Sequence, residues 1–300
     1  IADDHARDVI TDAELALDSQ GKFLGLRIRN TSNLGAYLSA GSGMVPTFMN
    51  LGGLAGVYTT PAIHVEVTCV YTNTQSTTPY RGAGRPEASY VLERMIDLAA
   101  SEMNIDRIDL RRRNIIPSEA MPYQTGLTFK YDSGEFEKNL DLALEAADVS
   151  GFDGRRTESE THGKLRGLSV IQMIEQAGGP RPEYAELRFD ASGSLTVLAG
   201  TKGQGQGHDT MYKIMVSDML GMDTDHVRLE DSDTDKVSFG VGTVGSRSAS
   251  SGGGAVRLAA DKIIEKGKKI AAHILEAAEA DIEFDSGHFQ ISGTDKMVSI

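Results

Sequence analysis

The chain has 300 residues, of which 40% are hydrophobic and 24% charged, a composition typical of a soluble globular protein with a substantial core. No apolar run approaches the roughly 18 residues that a membrane span needs. The formal net charge of -13 disfavours a nucleic-acid partner, because such binding depends largely on Lys and Arg. The single cysteine, Cys69, excludes a disulfide framework and a CxxC metal site and is consistent with a reducing, cytoplasmic compartment.

The first predicted element is a β-hairpin over residues 13–30, with alternating apolar positions on both sides of a turn at residues 18–21. A similar stretch, AELRFDASGSLTVL at 185–198, matches AELALDSQGKFLGL at 13–26 in six of fourteen positions. A duplicated lobe explains the match, and so do two unrelated hairpins that use the same Asp and Gly turn chemistry. Both interpretations stay open at this point.

The strand-like segment IHVEVTCVYTN at 63–73 leads through RGAGR to a helix that begins near Pro86 and runs to about Met103. The polar section 149–164 predicts a linker between a first lobe, residues 1–148, and a second lobe, residues 165–300. The second lobe is expected to contain a strand from Leu165, the second hairpin, two helices and a closing hairpin. The expected fold class is α+β, with two lobes that each carry a mixed sheet and packed helices.

Three Gly-rich segments precede predicted helices: RGAG at 81–84, GTKGQGQGHDT at 200–210 and GVGTVGSRSASSGGG at 240–254. A helix N-terminus offers unpaired N–H groups and partial positive charge, and glycine lets a ligand approach the backbone. Each segment taken alone is more often a structural turn than an anion site. No GK[ST] follows any of them, and RGAGRP lacks the third glycine of the dinucleotide fingerprint, which disfavours common ATP or NAD binding.

Side chains within these segments narrow the range of ligands that could bind there. Gln204 and Gln206 can donate and accept together, which suits the edge of a heterocycle such as a pterin. The planar guanidinium groups of Arg81, Arg85 and Arg247 can each donate paired hydrogen bonds to anionic oxygens, although a lone arginine more often forms a salt bridge. Glu175 and Glu183 are interpreted as exposed loop carboxylates without an assigned role.

Four long blocks occur in order: PYRGAGRPEASYVLERMIDLAASEMNIDRIDLRRRNII, YDSGEFEKNLDLAL, GTKGQGQGHDTMYKIMVSDMLGM and GVGTVGSRSASSGGGAV. Together they resemble the molybdenum-cofactor-binding large subunit of the xanthine dehydrogenase, aldehyde oxidase and carbon monoxide dehydrogenase superfamily. The resemblance spans nearly the whole chain. It implies that the Gly-rich turns hold a molybdopterin, with the cytosine dinucleotide as the expected form.

The resemblance also implies roles for individual residues. Arg81 would lie beside the substrate face of the metal, and no metal ligand is expected from the chain itself. Gln206 would hydrogen-bond near the molybdenum ligands or the pterin. His208 would line the dinucleotide, although it could equally be a capping or packing residue. The implied cofactor contacts are Gln204, Gly205, Gln206, Gly207, His208, Thr210, Gly245, Ser246, Arg247, Ser248 and Ser251.

Departures from the family pattern bear on the substrate. Carbon monoxide oxidisers have a loop of the form YRCSFR with a copper-bearing cysteine, whereas this chain has YRGAGR with Gly82 at that place. Purine and aldehyde oxidisers have a phenylalanine that packs on the substrate where this chain has Ala83. Carbon monoxide oxidation is therefore disfavoured, and the substrate stays open.

The function expected from the resemblance is part of a molybdenum hydroxylase that oxidises an aldehyde, N-heterocycle or similar small substrate. FAD and [2Fe-2S] clusters are expected on partner chains or domains, in a dimer of heterotrimers. The family's upstream Gly- and Phe-rich loop and downstream catalytic glutamate do not occur in this sequence, so the chain alone is expected to be inactive. The alternatives are a cofactor-free paralogue acting as an interaction module and an unrelated Gly-rich nucleotide-binding protein.

Overall fold

Alternating apolar residues form the predicted first hairpin. Strand β1 (Val9–Leu17) pairs antiparallel with β2 (Phe23–Gly35), and β3 (Ile63–Tyr71) adds to β2 in parallel, so the sheet is mixed. Leu15 lies opposite Leu26, and the turn between the strands contains Gly21 at φ 81°. The predicted hairpin and the strand after it are confirmed.

Helices cover this sheet and enclose the first core. A π-helical turn (Val45–Met49) continues into α1 (Asn50–Leu54), and α2 (Arg85–Met103) carries Pro86 in its first turn as predicted. Further helices are α3 (Arg107–Asn114), α4 (Phe136–Ala146) and α5 (Phe152–Thr161), with the short strands β4 (Tyr123–Gln124) and β5 (Lys130–Tyr131) between α3 and α4. Leu92 and Ile96 of α2 are buried with Ile28 of β2 in this core.

A buried ionic network ties α2 to α3. The fully buried Arg111 donates to Glu93 Oε2 at 2.8 Å and to Asp97 Oδ1 at 2.9 Å, while the Tyr58 hydroxyl donates to Glu93 Oε1 at 2.7 Å. Burial raises the pKa of Glu93, and Arg111 opposes that rise. Each charged group in this network is therefore hydrogen-bonded, as burial requires.

The computed structural model describes residues 3–178 and 181–300, and the chain divides into two compact units, Ile1–Glu175 and Gln176–Ile300. This boundary corrects the predicted linker at 149–164, because that section forms a 3-10 turn (Val149–Gly151) and the helix α5. It also corrects the predicted strand from Leu165, since residues 165–178 form neither helix nor strand. Val170 and Ile174 instead pack against the first core, which keeps this segment with the first unit.

The second unit contains two sheets and two long helices. β6 (Ala185–Phe189) pairs antiparallel with β7 (Leu195–Ala199), which pairs in parallel with β8 (Val227–Glu230). Its helices are α6 (His208–Leu220) and α7 (Gly253–Leu275), the latter preceded by a π-helical turn (Ser248–Gly252). The closing sheet has β9 (Ile282–Asp285), β10 (His288–Ile291) and β11 (Met297–Ser299).

The two units share one order of elements. In the first unit the order is an antiparallel hairpin, a helical connection, a parallel third strand and a long helix, and β6, β7, α6, β8 and α7 repeat it in the second. The shared order favours the duplicated lobe over two unrelated hairpins. It also confirms the α+β fold class with mixed sheets and packed helices.

Candidate cofactor-binding site

The glutamine turn, residues 200–207, connects β7 to α6. Gly205 and Gly207 have φ values of 91° and 83°, and a Cβ built on either would meet nothing within 4 Å. Gly207 is the residue before α6, and among the described residues no side chain caps that helix. The first N–H groups of α6 therefore have no side-chain cap, and they follow a backbone conformation that glycine alone adopts at low cost.

The Gln206 amide folds back onto its own turn. Its Oε1 accepts a hydrogen bond from the Gln204 backbone N–H, and its Nε2 lies 3.4 Å from the Lys202 carbonyl oxygen. Both amide atoms of Gln206 therefore contact backbone groups of the same turn. The predicted cofactor contact of this side chain stays a prediction. Gln204 and Thr210 are exposed on either side of it.

His208 opens α6 and is only 4% exposed. Its ring packs edge-on against Tyr212, with ring centroids 5.8 Å apart, and its buried Nδ1 has no hydrogen-bond partner within the described part of the chain. A buried polar nitrogen without a partner costs about 1–3 kcal/mol. Packing therefore accounts for the ring of His208 but not for its Nδ1.

The serine turn, residues 240–252, precedes α7. Gly245 and Ser246 are exposed and both left-handed, at φ 61° and 55°. Ser248 and Ser251 are half-buried in the π-helical turn, where the Ser251 N–H donates to the Arg247 carbonyl at 2.8 Å. The turn therefore exposes Gly245 and Ser246 and leaves Ser248 and Ser251 partly accessible, and the cofactor contacts of these residues stay predictions.

The glutamine turn and the serine turn are directly linked. The Lys202 N–H donates to Thr243 Oγ1 at 2.9 Å, and that hydroxyl donates back to the Lys202 carbonyl at 2.7 Å. A Cβ on Gly200 would lie 2.9 Å from Gly240 Cα, so the two backbones touch where each has a glycine. The structure thus brings the predicted residues of the two turns into one region of the second unit.

Tyr212 adds a buried connection between the same turns. Its hydroxyl lies 2.6 Å from Thr201 Oγ1 and donates to the Ser248 carbonyl at 3.1 Å. Burial raises the pKa of Tyr212, which keeps the hydroxyl protonated and able to donate. The sequence carries no local signal for this role of Tyr212, because the pairing with Thr201 and Ser248 depends on tertiary packing.

Asp231 is a second residue whose contact with the glutamine turn was not predicted from the sequence. Its Oδ2 accepts a hydrogen bond from the Gly203 N–H at 2.6 Å, which places a carboxylate against the glutamine turn. A signal existed in the sequence, since Asp231 directly follows β8 and the carboxyl ends of parallel strands β7 and β8 meet at one sheet edge.

Arg247 differs from its predicted role. It is 3% exposed and forms an ion pair with Glu183, whose side chain is fully buried, so its guanidinium is engaged inside the protein. This corrects two expectations: Arg247 is not a free fork for an anion, and Glu183 is not an exposed loop carboxylate. The pairing spans 64 positions in the sequence, beyond the reach of local pattern reasoning.

The arginine turn, residues 80–85, lies in the first unit and contains three successive residues with positive φ, of which only Ala83 is not glycine. Gly82, Ala83 and Gly84 have φ values of 92°, 38° and 91°. Arg81 is exposed, and its carbonyl accepts a hydrogen bond from Arg7. The buried Arg85 lies 3.7 Å from a carboxylate oxygen of Glu175, so Glu175 is a paired group and not a free loop carboxylate.

Among the described residues, no group of three or more His, Cys, Asp or Glu side chains is arranged to hold a metal ion. Within the same ranges, no helix is both long and apolar enough to cross a membrane.

The linked turns fit a bound anionic heterocycle. They combine open glycine backbone, the uncapped N-terminus of α6, exposed hydroxyls and an unpartnered buried imidazole nitrogen.

Two family models match the chain, over residues 1–115 and 143–300, and both describe a molybdopterin cofactor-binding domain. The chain belongs to this molybdopterin cofactor-binding family, within the xanthine dehydrogenase, aldehyde oxidase and carbon monoxide dehydrogenase superfamily.

Individual proteins with similar sequences or structures support this family assignment. The carbon monoxide dehydrogenase large chain of Hydrogenophaga pseudoflava is 35% identical over 97% of this chain, and subunit gamma of the 6-hydroxypseudooxynicotine dehydrogenase complex of Paenarthrobacter nicotinovorans is 32% identical over 99%. The solved quinoline 2-oxidoreductase of Pseudomonas putida 86 is similar over 97% of the chain, at 30% identity and a TM-score of 0.87. The chain spans 38% of the length of each of these three proteins.

Proposed function

We propose that the second unit holds a molybdopterin at the glutamine turn and the serine turn, as part of a molybdenum-dependent oxidoreductase. The observation that carries this proposal is the direct linkage of the two turns, with open glycine backbone in front of α6. When bound, the cofactor supplies the two-electron oxidation of a substrate carbon. The chain's own contribution is to bind and orient that group.

The residues of the two turns divide the binding task by their chemistry. Backbone N–H groups from Gly205 to His208, together with the N-terminus of α6, attract the anionic phosphates of a dinucleotide form, which we take to be the cytosine dinucleotide. The amides of Gln204 and Gln206 and the His208 nitrogen suit the polar edge of the pterin. Hydroxyl and backbone contacts come from Thr210, Gly245, Ser246, Ser248 and Ser251.

The substrate we propose is an N-heterocycle, an aldehyde or a similar small molecule, with Arg81 at its binding face. Two relatives are named for nicotine hydroxylation and quinoline oxidation. Gly82 supports a substrate other than carbon monoxide, because a Cβ there would lie 2.5 Å from Pro86 Cγ and leaves no room for a cysteine. The whole protein is proposed to work in the cytoplasm with FAD and [2Fe-2S] partners, as a dimer of heterotrimers.

Molybdenum analysis of the full-length protein tests the proposal. Gln206→Ala should lower molybdenum retention about ten- to a hundredfold through the loss of one or two hydrogen bonds, while unfolding free energy changes by no more than about 0.5 kcal/mol. Gln290→Ala is the matched control, because Gln290 is also exposed and also bonds a turn carbonyl, in the closing sheet. Its molybdenum content should equal that of the wild type.

Two results would contradict the proposal at different levels. A full-length wild-type protein without molybdenum would favour the cofactor-free interaction module. Equal molybdenum in Gln206→Ala and Gln290→Ala would leave the cofactor in place and reduce Gln206 to a brace of its own turn.

A further inference from the structure

Glu183 joins several segments of the second unit through one buried carboxylate. Its Oε1 accepts hydrogen bonds from its neighbour's N–H, on Tyr184, at 3.1 Å and from the Val241 N–H at 3.3 Å. Its Oε2 pairs with Arg247 of the serine turn. The side chain is fully buried, so no solvent competes for these contacts.

Arg247 completes the junction from the other side. Besides the pair with Glu183, its Nη2 donates to the Arg181 carbonyl at 2.7 Å and lies 3.3 Å from the Pro182 carbonyl. The guanidinium therefore holds the chain just before β6 against the serine turn. A planar fork with several donors suits such a role better than the single ammonium group of lysine.

The same carboxylate also touches the glutamine turn. A Cβ on Gly200, the first residue of that turn, would lie 2.2 Å from Glu183 Oε1. Gly200 in turn packs against Gly240 at the start of the serine turn. Glu183 is thus in contact with both turns at the point where they meet.

Stability alone is a weak reason to bury such a pair. Removing two charges from water costs about as much free energy as their mutual attraction returns, and apolar residues of similar volume are often as stable. Directional hydrogen bonds to several segments instead restrict those segments to one relative arrangement. The contacts of Glu183 and Arg247 are of this directional kind.

We propose that Glu183 and Arg247 are positioning residues that set the spacing of the glutamine turn and the serine turn for the cofactor, without touching it. This inference rests on the proposed function, because it assigns a purpose to the turn geometry. Arg247 then affects cofactor binding through Glu183 and the backbone, and the two side chains act as a unit.

A double-mutant cycle in the full-length protein tests this coupling, with Glu183→Gln, Arg247→Met and the double variant. Two readouts are taken: molybdenum per folded protein, and hydrogen exchange of residues 200–207 and 240–252. Each single variant should lower molybdenum about tenfold, the equivalent of one misplaced hydrogen bond, and should accelerate exchange in both turns. The double variant should be no worse than either single one.

An exposed pair in the same unit is the matched control. Glu186 and Arg188 form a salt bridge on β6 with both side chains partly exposed. Glu186→Gln and Arg188→Met should leave molybdenum content and turn exchange unchanged. If Arg247→Met does not fold, Arg247→Lys replaces it and should still accelerate exchange in both turns.

The outcomes separate the possible failures. If Glu183→Gln keeps wild-type molybdenum while the Arg247 variant loses it, Arg247 touches the cofactor and the proposal is overturned. If molybdenum per folded protein and turn exchange both stay at the wild-type values while the yield of folded protein falls, the pair is merely structural and the proposal is overturned. If the wild type holds no molybdenum, the proposed function fails, and the exchange measurement by itself decides whether the pair orders the turns.

Discussion

Two glycines of α7 should respond in opposite directions to alanine. A Cβ on Gly267 would lie 2.1 Å from Phe289 Cζ, whereas a Cβ on the exposed Gly254 would meet nothing within 4 Å. Phe289 is buried, and its ring packs 4.8 Å from the ring of Phe284, so it has little room to retreat. Gly267→Ala therefore forces α7 and the closing sheet apart.

The expected magnitudes follow from two opposing terms. Overpacking a well-filled core costs about 1–3 kcal/mol. Replacing a helical glycine by alanine returns about 1 kcal/mol. An approach of 2.1 Å places Gly267→Ala at the upper end of that cost, about 2–3 kcal/mol, so the variant should destabilise α7 by about 1–2 kcal/mol after the propensity gain is subtracted. Gly254→Ala has only the favourable term and should stabilise the helix by about 0.5–1 kcal/mol.

Hydrogen exchange of the α7 amides measures both effects within one helix. Protection should fall about 5- to 30-fold in Gly267→Ala and rise about two- to fivefold in Gly254→Ala. The reasoning is refuted if both variants shift protection in the same direction, because helix propensity would then outweigh the contact with Phe289.

Two further predictions concern buried tyrosines. Tyr212→Phe removes the hydroxyl that lies between Thr201 and Ser248. A buried polar group left without a hydrogen-bond partner costs about 1–3 kcal/mol, so protection of the α6 amides should fall about 5- to 150-fold. Tyr90→Phe, the control, changes an exposed ring and should leave this protection unchanged. Burial raises the pKa of Tyr131 to about 12, so between pH 10 and 12 the unfolded state loses this proton first and stability falls by about 2–3 kcal/mol. Thermal unfolding against pH should show a shallower fall in Tyr131→Phe, and an unchanged slope would contradict the assignment.

Local patterns in the sequence were sufficient for the first hairpin, for the start of α2 and for the glycine-rich turns before the helices. Period-two alternation predicts the first hairpin, and Pro86 predicts the start of α2, because each depends on neighbours within a few residues. The glycines before α6 are predicted for the same reason, since a positive φ is a local property. The four sequence blocks add the family, which the comparisons confirm.

Tertiary structure decided what the charged and apolar side chains do. Arg247 and Glu183 are far apart in the sequence, and only the fold makes them a buried pair instead of a ligand fork and a loop carboxylate. Val170 and Ile174 carry a strand-like pattern, yet the first core takes them without a sheet partner and moves the unit boundary to residue 175. Both cases have one physical cause. Burial and ion pairing depend on which segments, distant in the sequence, pack together in the fold, and local propensities do not determine that packing.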